Sequence, residues 1–198
     1  MIVLSNPTAI ANEINVIHSL FEEGLQLFHI RKPEYSLKEM ISFIAQINPE
    51  FRPRLVLHSH HELIETFKIN RIHFTEETRR RITLEKYKNR EIHLSTSTHS
   101  ITGFNSLAPE FEYAFLSPVY PSISKADYFP KTDFFESIKD RTNTKTKLIA
   151  LGGINAENIE TPLTNGFDNI ALLGTIWNTK NPIKNFKSCQ RIALSYLQ

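Results

Sequence analysis

The sequence has one cysteine, no large excess of charge of either sign and no long apolar run. Its single cysteine, Cys189, excludes a disulfide framework and a cysteine-rich metal site, and favours a reducing compartment. A formal net charge of +2 provides no broad basic surface for nucleic acid. No apolar run reaches membrane-spanning length, and the opening "MIVLSNP" is too short for a secretory signal. We therefore expect a cytoplasmic protein without nucleic-acid or membrane partners.

The length of 198 residues suits one domain with its own hydrophobic core. No linker, low-complexity tract or strong internal repeat divides the chain. We therefore predict a single domain over residues 1–198.

Short β-rich runs alternate with longer segments whose apolar residues have helical spacing. The predicted strands are Ile2–Leu4, Leu25–Ile30, Leu55–Leu57, Arg71–His73, Ile92–Ser95, Tyr113–Leu116, Leu148–Leu151 and Asn169–Leu172. The predicted helices are Ile10–Glu22, Leu37–Ile47, His60–Phe67, Thr83–Tyr87, Thr98–Asn105, Phe134–Lys139, Ala156–Leu163 and Ile183–Leu197. Eight β/α units predict a (β/α)8 TIM barrel of minimal length, since such barrels usually need about 250 residues. An open doubly wound sheet is the alternative.

Two glycine sites follow the last two predicted strands. Gly152 and Gly153 end the run "KLIALGG", and Leu173 and Gly174 lie in "LLGTIW". In a barrel these loops are neighbours on the active face, where backbone amides commonly hold a phosphate. A tight turn explains either site alone, but the pair favours phosphate binding by Gly152, Gly153, Leu173 and Gly174.

Two further loops present polar side chains at the same predicted face. The stretch "YAFLSPVYPSISK" directs Ser122, Ser124 and Lys125 towards the barrel mouth, although an ordinary polar loop has the same composition. In "FHIRKP", strand alternation places His29 and Arg31 on one side, towards the interior. A buried arginine needs an anionic partner, which is a substrate or a structural carboxylate.

Histidines occur at two other strand ends. His99 directly follows the fifth predicted strand and is suited to proton transfer near neutral pH, although a lone loop histidine is more often inert. His58, His60 and His61 crowd together in "LHSHHE". Adjacent histidines at a strand–helix junction point in different directions, and no ligand partner stands at suitable spacing. The sequence therefore predicts no metal site, and the role of the histidine group stays open.

The motifs together resemble a known enzyme superfamily. "FHIRK", "RLVLHS", "RIHF", "STSTHS", "YAFLSPVYPSISK", "IALGGI" and "NIALLGTIW" follow one another across nearly the whole chain. This order is similar to the thiamine phosphate synthase superfamily of (β/α)8 barrels, which contains the synthase and a related thiazole tautomerase. The resemblance implies that the glycine loops hold the phosphate of a thiazole phosphate. It also implies that the loop with Ser122, Ser124 and Lys125 contacts the substrates.

The chain departs from the synthase pattern at the diphosphate site. The resemblance implies that two aspartates hold magnesium in the synthase, and Ser59 and Thr78 stand at those positions here. Neutral hydroxyls cannot replace two carboxylates on a hard dication without losing charge compensation. The carboxylates nearby in sequence are Glu62, Glu76 and Glu77, none of them in the family register.

The second strand also departs from the synthase pattern and approaches the tautomerase branch. Where the resemblance implies a glutamine and a lysine in the synthase, this chain has His29 and Pro33. Lys32 lies one residue before the expected lysine, and of this set only Arg31 matches the synthase pattern. The tautomerase reading implies that His99 moves a proton to convert a thiazole phosphate carboxylate into its aromatic tautomer. Arg31, with Lys125 as a second candidate, then binds the substrate carboxylate or phosphate, and His29 orients the substrate or shuttles a proton.

Three functions remain open at this stage. A thiazole tautomerase is preferred, with a small phosphorylated thiazole as substrate and no cofactor. A thiamine-phosphate synthase, which joins thiazole phosphate to hydroxymethylpyrimidine diphosphate and needs magnesium, is the first alternative. A non-catalytic barrel that binds a thiamine precursor is the second. Exposed apolar residues on short outer helices are compatible with a homodimer.

Overall fold

Eight parallel strands pair in sequence order, and the last closes onto the first. The computed structural model describes residues 1–87, 91–121 and 133–196. The strands are β1 (Ile2–Leu4), β2 (Leu27–Ile30), β3 (Leu55–Leu57), β4 (Arg71–Phe74), β5 (His93–Thr98), β6 (Phe111–Leu116), β7 (Lys147–Leu151) and β8 (Asn169–Leu172). The β8–β1 pairing makes the barrel closed. The predicted (β/α)8 barrel is therefore confirmed, and the open doubly wound sheet is wrong.

Short helices connect the strands, as the chain length requires. They are α1 (Glu13–Glu22), α2 (Leu37–Ala45), α3 (Leu63–Phe67), α4 (Glu76–Arg79), α5 (Ile101–Asn105), α6 (Phe134–Ser137), α7 (Glu160–Thr164), α8 (Gly174–Trp177) and α9 (Pro182–Leu194). The predicted helix at Thr83–Tyr87 is only a 3-10 turn at Leu84–Tyr87, and α4 was not predicted. Among the described helices, none has the length and apolar character needed to cross a membrane.

The predicted start of α7 is too early by four residues. The Asn155 side-chain oxygen accepts a hydrogen bond from the Glu157 amide at 2.8 Å, as a helix cap does. The Asn158 side chain, however, donates to the Gly153 carbonyl at 3.0 Å and ties the segment back to the preceding loop. Residues 155–159 therefore form a turn, and the helix begins at Glu160.

Two apolar layers stabilise the barrel. The larger one lies between the strands and the surrounding helices, because every second strand residue faces outward. The smaller one fills part of the lumen and consists of Ile2, Leu4, Tyr113, Phe115, Ile149 and Ala171. Burial of each large apolar side chain contributes roughly 1.5–3 kcal/mol to folding.

The remaining part of the lumen is polar. His29 on β2, His73 on β4 and Ser95 on β5 are each at most 1 % exposed and face the interior. The strand register places His73 beside Ser95 and Ser95 beside Tyr113 of β6. The barrel thus has an apolar half formed by β1, β6, β7 and β8, and a polar half formed mainly by β2 to β5.

Candidate active site

A cavity of about 310 Å³ opens at the carboxyl ends of the strands. It brings together six residues that the sequence predicted to be functional, namely Arg31, His99, Gly152, Gly153, Leu173 and Gly174. Other lining residues include Leu4, His58, Thr75, Glu76, Ser97, Phe115 and Ser117. The predicted substrate-binding residues Ser122, Ser124 and Lys125 lie outside the described residues.

The glycine pair is required by the backbone and by a neighbouring loop. Gly152 and Gly153 have φ values of 105° and 66°, in the left-handed region that favours glycine. A Cβ on Gly152 would lie 2.9 Å from Pro118, and one on Gly153 would lie 2.6 Å from the Tyr120 side chain. Close packing against the loop after β6 therefore explains both glycines without a ligand. Phosphate binding there stays a prediction.

The loop after β8 is held in place by hydrogen bonds to its neighbours. The Thr175 hydroxyl donates to the Ile154 carbonyl, and the Trp177 indole donates to the Leu4 carbonyl at 2.7 Å. Leu173 and Gly174 stand where α8 begins, and the first amides of a helix have no partner within it. Backbone donors and the glycine pair thus border the same end of the cavity.

His99 has a defined tautomer. Its Nδ1 lies 2.8 Å from the Ser117 carbonyl oxygen. Because a carbonyl oxygen only accepts, Nδ1 carries the proton, and Nε2 of the neutral ring is the basic nitrogen. His99 is exposed and lines the cavity. The hydrogen bond to the Ser117 carbonyl fixes the orientation of its ring.

Arg31 is held through its backbone. The Ser5 hydroxyl accepts from the Arg31 amide at 2.8 Å and donates to the Arg31 carbonyl at 3.1 Å. Within residues 1–87, 91–121 and 133–196, none of the ion pairs involves Arg31. The described residues therefore do not support a structural ion pair for Arg31. Its guanidinium group is available for an anion in the cavity.

Lys32 points away from the cavity. Its ammonium group is fully buried, 2.6 Å from a Glu13 carboxylate oxygen and 2.9 Å from the Thr8 carbonyl. Burial lowers the pKa of Lys32 and raises that of Glu13, while their mutual attraction opposes both shifts. This lysine is therefore a structural partner of α1 and is not placed to hold a diphosphate.

His29 lies beneath the floor of the cavity and is completely buried. Its Nδ1 is 2.9 Å from Nε2 of His58, which lines the cavity, and its Nε2 is 2.8 Å from the Tyr113 hydroxyl. His29 does not line the cavity itself, and its direct hydrogen-bond link to the cavity lining is His58. Its predicted role as an orienting or shuttling group remains a prediction.

A second buried histidine was missed in the sequence. Nδ1 and Nε2 of His73 are each 2.9 Å from a serine hydroxyl, Ser95 and Ser97 respectively. The available signal was the alternation of polar residues in "RIHF" and "HLSTS", which directs one set into the lumen. Burial, reinforced by the neighbouring His61 and Arg31, lowers the pKa of His73 to about 3.

The lumen histidines form a hydrogen-bonded group in preference to a metal site. Ligand nitrogens of His29, His58 and His73 lie within 4.8 Å of one another. Both nitrogens of His29 and of His73 already have partners, however, and the His58 and His73 rings stack 4.2 Å apart at 21°. Lone pairs of stacked rings run nearly parallel and do not converge on one ion. The crowded His60 and His61 diverge as predicted, towards the Tyr35 and Leu57 carbonyls.

The residues near the expected magnesium site do not fit that ion. The Thr78 hydroxyl is hydrogen-bonded to Thr75, and Ser59 carries no charge. Each nearby glutamate is paired with a cationic or basic side chain: Glu62 with His60, Glu76 with Arg80 and Glu77 with Arg81. Over the described part of the chain, carboxylates form no cluster of three or more that could hold a metal. These residues therefore leave little unpaired negative charge to hold Mg²⁺.

The buried histidines predict a pH-dependent stability. His29 and His73 are neutral when folded, because burial lowers their pKa, and titrate near 6.5 when unfolded. The unfolded chain therefore binds more protons below pH 6.5. Stability is fully present above that pH and falls by roughly 1.4 kcal/mol per pH unit for each histidine as the pH drops. Urea unfolding at about pH 7.5 and 5.5 measures this loss, and His73→Asn should reduce it; equal stability at both pH values contradicts it.

Comparison with known proteins gives the family. The sequence model of a family described as "Thiamine monophosphate synthase" matches residues 1–176. A thiamine-phosphate synthase from Listeria welshimeri is 34 % identical over 67 residues, which cover 33 % of this chain and 32 % of that protein. The match thus spans only about a third of this curated relative.

Solved structures agree with this assignment. Thiamine phosphate pyrophosphorylase from Bacteroides thetaiotaomicron has a TM-score of 0.77 at 28 % identity, with 98 % of this chain and 96 % of that chain covered. The pyrophosphorylase from Pyrococcus furiosus has a TM-score of 0.82 at 16 % identity, covering 100 % and 96 %, and supports the fold alone. From its sequence match across residues 1–176, the chain belongs to the thiamine monophosphate synthase family.

Proposed function

We propose that this protein is a thiazole tautomerase that converts a thiazole phosphate carboxylate into its aromatic form by moving a proton. The observation that carries the proposal is the orientation of His99, whose Nδ1–H is bound to the Ser117 carbonyl. Its Nε2 is then the basic nitrogen at the cavity, as a general base requires. The reaction needs no metal or cofactor.

The cavity offers partners for both anionic groups of this substrate. The phosphate is assigned to the amides near Gly152, Gly153, Leu173 and Gly174, and the carboxylate to the guanidinium group of Arg31. These two groups of donors border one cavity of about 310 Å³, which suits a small bicharged molecule. Ser122, Ser124 and Lys125 complete the substrate contacts in this proposal.

A thiamine-phosphate synthase is the second candidate, because the Listeria relative carries that name and the similar Bacteroides structure is named thiamine phosphate pyrophosphorylase. That reaction releases diphosphate and requires groups to hold it. Lys32 is sequestered by Glu13, and the three glutamates nearest the expected metal site are paired. These contacts favour the isomerisation, which forms no diphosphate.

A diphosphate-release assay separates the two candidates. Purified protein is incubated with thiazole phosphate and the pyrimidine diphosphate, with magnesium and again with a chelator. We expect no release in either condition, because the charges that would hold magnesium diphosphate are paired. Magnesium-dependent release makes the protein a synthase and overturns the proposal. Tight binding of thiazole phosphate without turnover of any substrate identifies a carrier instead.

A further inference from the structure

Six polar side chains in the lumen form a continuous row that leaves the cavity and returns to it. We call them the lumen network: His58, His29, Tyr113, Ser95, His73 and Ser97. The two end members, His58 and Ser97, both line the cavity, whereas His29, Ser95 and His73 are at most 1 % exposed. Of these six residues, only His29 has a predicted role in the reaction, as an orienting or shuttling group.

Four of the five steps along the lumen network are hydrogen bonds, and the fifth lies between Tyr113 and Ser95 on the paired strands β5 and β6. The His58–His29, His29–Tyr113, Ser95–His73 and His73–Ser97 contacts measure 2.9, 2.8, 2.9 and 2.9 Å. Ser95 lies opposite Tyr113 in the β5–β6 register. Both side chains face the lumen, so this pairing of strands brings the two halves of the network together. Burial raises the pKa of Tyr113, and the nearby Ser95 hydroxyl opposes that rise.

The chemistry of these groups allows two arrangements of protons along the whole network. In the first, every histidine carries its proton on Nε2: His58 donates to His29, His29 to Tyr113, and His73 to Ser97. The Tyr113 hydroxyl then donates to Ser95, which donates to Nδ1 of His73. In the second, every donor becomes an acceptor and all three histidines carry the proton on Nδ1. Passage of one proton converts the first arrangement into the second.

We propose that the lumen network is a proton relay that delivers a proton to the substrate at Ser97 while taking one up at His58. The proposal rests on the tautomerase function. His99 Nε2 removes a proton from one substrate atom, and the Ser97 O–H bond breaks to protonate another. The protons behind it each move one step, and Nδ1 of His58 takes a proton from water. His99 returns its proton to water, and reverse passage of a proton restores the relay.

Two features of the lumen suit a relay of neutral groups. Burial, with the positive charges of Arg31 and Arg71 nearby, disfavours an imidazolium ion at His29, His58 or His73. A concerted transfer leaves every member uncharged. The same positive charges disfavour a divalent metal at this position.

One alternative has a distinct signature. The Ser95 hydroxyl also lies 3.2 Å from the Ile72 carbonyl, which is longer than its 2.9 Å contact with His73. If Ser95 donates to that carbonyl, His73 must carry its proton on Nδ1 to donate to Ser95. When His29 and His58 then carry theirs on Nε2, the network is a static element of the core, with no continuous path.

Nitrogen-15 NMR of the histidine rings tests the wiring without substrate. We expect His29, His58 and His73 to share one tautomer, or to show matched fractions of both, in the wild-type protein at neutral pH. Tyr113→Phe should remove this match, because it deletes the hydroxyl that joins the halves. Different tautomers, or unequal tautomer fractions, among the three rings of the wild-type protein overturn the relay, and so does a stoichiometric metal bound to these rings.

Turnover of the carboxylated thiazole phosphate tests the use of the relay. In Tyr113→Phe and Ser95→Ala we expect kcat to fall about tenfold or more, with KM unchanged because neither residue lines the cavity. The double variant should be no slower than the slower single variant, since both break one series path. The solvent deuterium isotope effect on kcat should reflect several transferred protons in the wild-type protein and fewer in either variant. Tyr87→Phe, which deletes a hydroxyl from a ring packed on Phe74, is the control and should keep wild-type kcat.

The two tests separate the relay from the function on which it rests. A wild-type protein that isomerises no substrate refutes the tautomerase, and the tautomer pattern still decides the wiring. Full kcat in folded Tyr113→Phe and Ser95→Ala, with an active wild-type protein, overturns the relay and leaves the tautomerase standing.

Discussion

Replacing His99 with asparagine should reduce kcat by about 10²- to 10⁴-fold, the usual contribution of a general base. Asparagine keeps a side-chain donor for the Ser117 carbonyl but has no basic nitrogen. Because His99 is exposed, its replacement should leave the unfolding free energy nearly unchanged. Steady-state kinetics and urea unfolding of the same preparation measure both quantities, and KM should stay close to the wild-type value.

A matched control lies on the same strand. His93 stands at the opposite, amino end of β5, where it pairs with Glu112. His93→Asn should therefore retain wild-type kcat. Full turnover in folded His99→Asn contradicts the role assigned to His99, whereas equal losses in both variants indicate a general effect on the barrel.

The largest effect on stability should follow from Glu13→Leu. This change leaves the Lys32 ammonium group buried without its carboxylate partner. Removing one partner of a buried ion pair typically costs about 3–5 kcal/mol, because the remaining charge is uncompensated. The unfolding free energy from urea denaturation measures the loss.

The double variant Glu13→Leu/Lys32→Met supplies the control. Replacing both charges by apolar groups of similar size is often nearly neutral, so most of the lost stability should return. A single variant as stable as wild type contradicts the buried pair. A double variant no more stable than the single shows that the loss came from packing around α1 and not from charge.

The barrel itself was predictable from the sequence because its strands are short, apolar and separated by helical segments. "LVL" at β3 is apolar at every position and "NIAL" at β8 at every position after Asn169, as strands buried on both faces require. The glycine pair after β7 was also recognisable, since adjacent glycines signal an unusual backbone. The sequence could not show that close packing of a neighbouring loop, and not only a bound ligand, requires glycine at these two positions.

The candidate site was predictable only where strand direction decides it. Arg31 and His99 follow strand ends, so the closed barrel brings both to one cavity. The direction of Lys32 was not predictable, because it depends on Glu13 of a helix earlier in the chain. The lumen network was missed for the same reason: its members come from β2 to β6, and their contacts appear only when the barrel closes.

Helix ends were the least predictable elements. The residues before α7 have a good capping asparagine, Asn155, but the hydrogen bond from the Asn158 side chain to the Gly153 carbonyl keeps them in a turn. Such a contact overrides local propensity and leaves no trace in residue spacing.

The tautomerase function is tested most directly by incubating wild-type protein with the carboxylated thiazole phosphate in the presence of a metal chelator. Formation of the aromatic product, followed by its ultraviolet absorbance, should proceed at the same rate with and without magnesium. No isomerisation, together with magnesium-dependent diphosphate release, would contradict the tautomerase and identify a synthase that holds its metal through groups not assigned here.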